Sequence, residues 1–252
     1  DKDFPLVVGR ISFFVNAGIK FITEMCKMRT MNILWNEICK NKYKVNDKKF
    51  RRLRYGVQVN SLGLTEPQPE NNVYRILLEM LSVVLSKDAR ARAIQLPAWN
   101  EALGLPRPWD QQWSIRLQQI IAYETDLLEY DDIFNGSKII DSKVQELTKK
   151  VKNELGIIEK MGGAVAAVEN SYMKNNLVSS MSQRVAAIES GEQIVVGVNK
   201  FKESADSPLT NDKEGFIKVD SNAEKEQIKK LKIWRKKKNN NNCKKALKKL
   251  EH

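Results

Sequence analysis

The chain has 252 residues, 42% of them hydrophobic, which is enough for one sizeable core or two small ones. It carries 43 Lys and Arg against 31 Asp and Glu, a net charge of +12. No apolar run nears the ~20 residues of a bilayer span, and no basic stretch leads into an apolar one at the start, so neither a membrane partner nor a secretory signal is expected.

Taken in chain order, residues 7–15 (VVGRISFFV) are β-branched and aromatic and read as a buried strand. Asn16-Ala17-Gly18 breaks the run, and Phe21, Ile22, Met25, Met28, Ile33, Leu34 and Ile38 then recur at helical spacing over 19–40. A charged loop over 42–52 leads to a second strand over 53–60 (LRYGVQVN). After Pro67 and Pro69, Asn71 or Asn72 is placed to cap a helix over 73–85. Residues 91–96 (ARAIQL) make a third strand, and a helix follows the prolines at 97, 106 and 108, over about 110–129. Three strand-helix units in succession are the grammar of a parallel sheet with helical crossovers, too few for an open sheet and short of the eight that close a barrel. Beyond 131 the pattern turns helical, with an amphipathic segment over 138–160, one or two helices over 164–187 and a short extended element over 194–201. Residues 204–222 read as a polar linker.

The charge imbalance is local. Residues 224–251 hold 12 Lys and Arg against three acids and read as a solvated helical linker, so a nucleic-acid partner is not expected. Cys26, Cys39 and Cys243 are far apart and lack a CxxC spacing. They read as reduced thiols of a cytoplasmic protein. A zinc site needs about four Cys or His ligands. The one histidine, His252, is terminal, which excludes the usual His-dependent nucleophile systems.

Polar residues on apolar strands are the informative ones, because burying them unpaired costs several kcal/mol. Arg10 and Ser12 are two apart on the first expected strand, Gln58 and Asn60 two apart on the second, and Arg90 and Arg92 flank the start of the third. An anionic ligand at the sheet's carboxyl edge would satisfy them. Pairing with Glu66, Glu70 or Glu101 would do so equally.

RISFFVNAG with FITEMCKMRTMNILW, GLTEPQPENNVYR, MGGAVAAVE and IESGEQIVVGVNKF, together covering about residues 5–202, resemble the methylmalonyl-coenzyme A mutase family. The stretches RYGVQVNSLGLTEPQPENN and AIQLPAWNEALGLPRPWDQQW, and the tail from KLKIWRKKK onward, are similar to its ethylmalonyl-coenzyme A branch. The resemblance implies an α/β fold, the last three strand-helix units of a (β/α)8 TIM-type barrel in residues 1–135. A post-barrel helical segment over 136–203 and a basic linker over 204–252 would follow. It implies adenosylcobalamin as cofactor and a radical carbon-skeleton rearrangement of ethylmalonyl-coenzyme A to methylsuccinyl-coenzyme A. A methylmalonyl- or isobutyryl-type mutase, or a non-catalytic subunit completing a barrel, are the alternatives.

By the same resemblance Arg10 and Ser12 would contact the coenzyme A part of the substrate and Gln58 the acyl group, with Arg92 near it; Ser61, Glu101 and Gly104 would lie near the cobalamin. Two departures stand out: Gly56 replaces a family histidine and is expected to leave room for a larger acyl group, and a longer loop carries Arg90 and Arg92. The early barrel half, with the family's catalytic Tyr and His, and the DxHxxG cobalamin domain have no counterpart here. With no initiator Met, the expectation is a piece of a longer enzyme, inactive alone, that works with those parts in cis or in trans and as a homodimer when whole.

Overall fold

The computed structural model describes residues 3–205, 207, 220 and 222–250. Three parallel strands form the sheet, β1 (Phe13–Ala17), β2 (Tyr55–Val59) and β3 (Ala93–Gln95), in the spatial order β1-β2-β3. Helices α2 (Phe21–Asn41), α3 (Asn71–Val84) and α4 (Pro108–Glu124) follow the strands in turn; α1 (Phe4–Val8) precedes them. The described chain is thus mixed α/β, with a small parallel sheet and many helices.

The register pairs Phe14 with Gly56 and Asn16 with Gln58 across β1 and β2, and Gly56 with Ala93 and Gln58 with Gln95 across β2 and β3. Because strand side chains alternate, these six residues share one face. The other face carries Phe13, Val15, Ala17, Tyr55, Val57, Val59 and Ile94, and the core sits between it and the helices. Ala17, Tyr55 and Val57 pack with Met28 and Val83, while Val59 packs with Ile76, Met80, Trp99 and Ile121. Burying each large apolar side chain contributes roughly 1.5–3 kcal/mol, so this face fixes the register; a slip by one residue would turn the whole set outward.

Beyond the sheet, α5 (Lys138–Lys160) starts at Ser137, whose Oγ caps the Ile140 N–H, and lays Ile140 and Val144 on Met25 and Cys26 of α2. Helices α6 (Ala164–Glu169) and α7 (Tyr172–Glu189) divide at Ser171, which has a left-handed backbone, φ 59°. Helices α8 (Ala223–Lys237) and α9 (Asn240–Leu250) bury no residue. No described helix is long and apolar enough to cross a membrane. Cys26 and Cys39 are buried free thiols and Cys243 is half-buried; burial pushes the first two above the ordinary thiol range.

Several expectations are corrected. Residues 7–15 are not one strand: Pro5, with φ preset for a first helical turn, starts α1, Gly9 ends it, and the strand begins at Phe13. Arg10 and Ser12 therefore precede β1 and are exposed. Residues 194–201 form a turn with one isolated bridge, Val196 to Lys200, gathered by the Asn199 amide, which accepts from Val195 N and donates to Ile188 O and Gln193 O. Neither Asn71 nor Asn72 caps α3; both lie inside it. Most of the expected linker over 204–222, and His252, fall outside the described residues.

Candidate functional site

Among the described residues, no helix covers the sheet's second face. Phe14 is 61% exposed, Asn16, Ala93 and Gln95 are exposed, and Gly56 and Gln58 are half-buried. At its carboxyl end Asn16, Gln58 and Gln95 stand side by side in register, on strands spaced about 4.8 Å apart. Among the described residues the Gln58 and Gln95 amides make no side-chain hydrogen bond; the Asn16 Oδ1 accepts from Lys27 Nζ at 3.2 Å. Lys27 also donates to Asn16 O at 2.6 Å and pairs with Glu24. Phe14, Asn16, Gln58, Lys27 and Met31 line a pocket of about 410 Å³. Amides can donate to and accept from a carbonyl or carboxylate without bringing a charge of their own, and Lys27 supplies one cation at the row's end.

The turns leaving the strands continue this edge. Ser61 opens the 3-10 turn Ser61–Gly63 directly after β2, set by Asn60, whose Oδ1 accepts from Leu62 N at 2.9 Å. Glu101 and Gly104 lie, exposed, in the loop after β3. Asn72 ties the two loops together. Fully buried, it donates to Thr65 O at 2.9 Å and Trp99 O at 3.0 Å, while its Oδ1 accepts from Thr65 N at 3.0 Å and Arg75 Nη1 at 2.7 Å. Beneath the Ser61 turn sits Glu79, 2% exposed, its Oε2 without a partner among the described residues. Burial first, then the charge of Glu24, pushes its carboxyl up to about 8, against the pull of Arg75 and Arg184.

The expected residues therefore divide. Gln58 and Ser61, with Glu101 and Gly104, fall at the sheet's carboxyl edge. Arg10 and Ser12 lie at the opposite end, ahead of β1. Arg92 is at that end too, in a basic pocket with Arg90, and not beside Gln58. The room expected over Gly56 is taken by the Phe14 ring: a Cβ on Gly56 would meet Phe14 Cε2 at 2.9 Å. Asn16, Gln95, Phe14 and Lys27 were missed. The alternation in FFVNA, YGVQV and AIQ carries the first three, once the strand starts are set correctly. Arg54 was missed as well; it precedes Gly56 by two, and its Nε is buried without a partner among the described residues.

A parallel sheet with one face packed by helices and the other lined with polar side chains at its carboxyl edge has the arrangement in which α/β proteins bind ligands. A model of the methylmalonyl-CoA mutase family matches residues 3–252, and the chain belongs to that family. It is 61% identical, over 93% of its length, to an ethylmalonyl-CoA mutase of Cereibacter sphaeroides, and 57% identical over its whole length to an ethylmalonyl-CoA mutase of Methylorubrum extorquens. A methylmalonyl-CoA mutase of Rhizobium meliloti is 28% identical over 95% of the chain. The chain spans 36% of the length of each of the first two.

Proposed function

We propose that this chain forms the late-barrel part of an adenosylcobalamin-dependent mutase that converts ethylmalonyl-coenzyme A to methylsuccinyl-coenzyme A. The observation that carries the reading is the open amide row Asn16–Gln58–Gln95 beside Gly56, in a chain 61% identical to an ethylmalonyl-CoA mutase. Relatives named for methylmalonyl-CoA stand much further off, at 28–31%. Residues 1–135 would supply the last three strand-helix units of a (β/α)8 barrel. Among the described residues the outer edges of β1 and β3 are unpaired and the polar face is uncovered, which supports that, since both would otherwise stay exposed. Residues 136–203 would be the post-barrel helices and 204–252 the linker toward a cobalamin-binding domain. That domain and the remaining strands would come in cis or in trans, and the whole enzyme would pair as a homodimer.

In this reading Gln58, flanked by Asn16 and Gln95, holds the acyl thioester or carboxylate by amide hydrogen bonds, and Arg10 and Ser12 face the coenzyme A end. Arg92 would serve that end rather than the acyl group. Ser61, Glu101 and Gly104 would hold the cofactor: the Ser61 hydroxyl and Glu101 carboxylate have no side-chain partner among the described residues, and Gly104 offers backbone without a side chain. That donor set suits the amide and ribose groups of a cobalamin. When bound, the cofactor supplies the carbon radical chemistry, and the protein orients and shields. The test is to incubate the intact gene product with adenosylcobalamin and ethylmalonyl-coenzyme A and follow methylsuccinyl-coenzyme A by mass spectrometry. Turnover of ethylmalonyl- over methylmalonyl-coenzyme A is expected; turnover of neither contradicts the reading.

A further inference from the structure

A second site lies at the other end of the sheet, on its helix side. Lys48, Arg51 and Arg52 precede β2, and Arg90 and Arg92 precede β3; with Asp88 they line a pocket of about 400 Å³. Asn32 and Asn36 of α2 close its wall, which sets it among the helices and away from the open face. Among the described residues none of the five cations makes an ion pair or a side-chain hydrogen bond. The one acid is occupied, since Asp88 Oδ2 accepts from Asn135 Nδ2 at 2.5 Å.

Arg51 is the telling member. It is 7% exposed, and its Nε is buried with no partner. A guanidinium whose Nε is shut off from water and unpaired is costly, and four further cations around the same cavity repel it. Both costs vanish if an anion fills the pocket. Arginine forks match the oxygens of phosphate in geometry and charge, and a diphosphate-sized group fits the volume. Arg90, which lines the pocket, has a left-handed backbone, φ 56°, and ends the 3-10 turn Lys87–Ala89.

We propose that this pocket binds a phosphate or diphosphate group. The group would be carried either on a nucleotide-bearing ligand such as coenzyme A or by a free phosphate compound. The pocket itself does not depend on the mutase reading; its assignment to coenzyme A rests on that reading, in which Arg92 already serves the coenzyme A end.

The experiment is calorimetric titration of the intact gene product with pyrophosphate. Saturable binding is expected that weakens as salt rises from roughly 50 to 300 mM. Arg51→Gln and Arg90→Gln should each weaken it by about tenfold or more, the worth of a charge-assisted phosphate contact, and Lys174→Gln on exposed α7 should leave it unchanged. Should Arg51→Gln fail to fold by circular dichroism, the exposed Arg90 carries the test. Displacement of pyrophosphate by coenzyme A would assign the group to that ligand, and its absence to a free phosphate compound; either supports the site. No saturable binding, or wild-type affinity in every folded variant, overturns it.

Discussion

The Phe14 ring lies over Gly56 so closely that a Cβ there would stand 2.9 Å from Cε2 and 3.2 Å from Cδ2. The glycine is thus a seat for the ring, and the two residues act as one element of the open face. A side chain at position 56 must push the ring aside, and because the ring is 61% exposed it has somewhere to go. In the intact enzyme, Gly56→His should shift the ratio of kcat/KM from ethylmalonyl- toward methylmalonyl-coenzyme A by roughly 10-fold or more, the worth of about one methylene's space. Phe14→Ala combined with Gly56→His should recover part of that loss. Steady-state kinetics with both substrates checks it, and an unchanged ratio in the single variant would count against the pairing.

Glu79 ties stability to pH. Its carboxyl, at about 8 in the fold, starts from an ordinary 4.5. An acid with a raised folded pKa is best tolerated while protonated in both states, below about 4.5, and its cost grows as pH climbs toward 8, then levels. Glu79→Gln should therefore be more stable than wild type at pH 8 by up to a few kcal/mol, with the gap closing toward pH 5. Urea midpoints of the two proteins across that range measure it. A gap that does not change with pH would refute the buried-acid account.

The amide of Asn72 holds together the loops that follow β2 and β3. Replacing it with Ala strands the Thr65 N–H and removes a donor from Thr65 O and Trp99 O. The expected loss is about 2–4 kcal/mol, the cost of leaving buried polar groups unpaired. Asn72→Asp keeps the acceptor and loses the donor, and should fall between. Thermal unfolding of the three proteins, with hydrogen exchange at Thr65, reads both effects.

Arg29 donates to Asp132 at 2.6 Å, where the carboxylate is wholly buried and also accepts from Asp88 N and Phe134 N. The pair pins residues 132–135 to α2 ahead of α5. Asp132→Ala leaves Arg29 nearly buried without its charge partner and should destabilise by roughly 3–5 kcal/mol, whereas capping Ser137→Ala should cost about 1 kcal/mol. Denaturant titration of both variants separates them.

Much of this was legible in the sequence, for reasons that can be named. The 138–160 segment ends where its amphipathic pattern ends, because Ser137 caps it and Gly162-Gly163 stop it. The parallel three-strand sheet follows from apolar runs separated by helical lengths. Where the reading failed, tertiary context outweighed composition: VVGRISFFV has strand composition throughout, yet Pro5 and Gly9 commit its first part to a helical turn. That shift moved Arg10 and Ser12 off the strand and hid the frame in which Phe14 and Asn16 face outward. The alternation in AIQ puts Gln95 on one face, but only the β2–β3 register sets it beside Gln58, and Gly56 showed an absence of side chain but not the neighbour that fills it.

The central claim is that the open face around Gln58 is the acyl site. The most direct measurement is the kinetics of Gln58→Ala in the intact gene product with adenosylcobalamin and ethylmalonyl-coenzyme A. The account predicts a fall in kcat of about 100-fold or more, as for loss of a donor aimed at developing charge, with inhibition by free coenzyme A unchanged. A variant that turns over at close to the wild-type rate would contradict it.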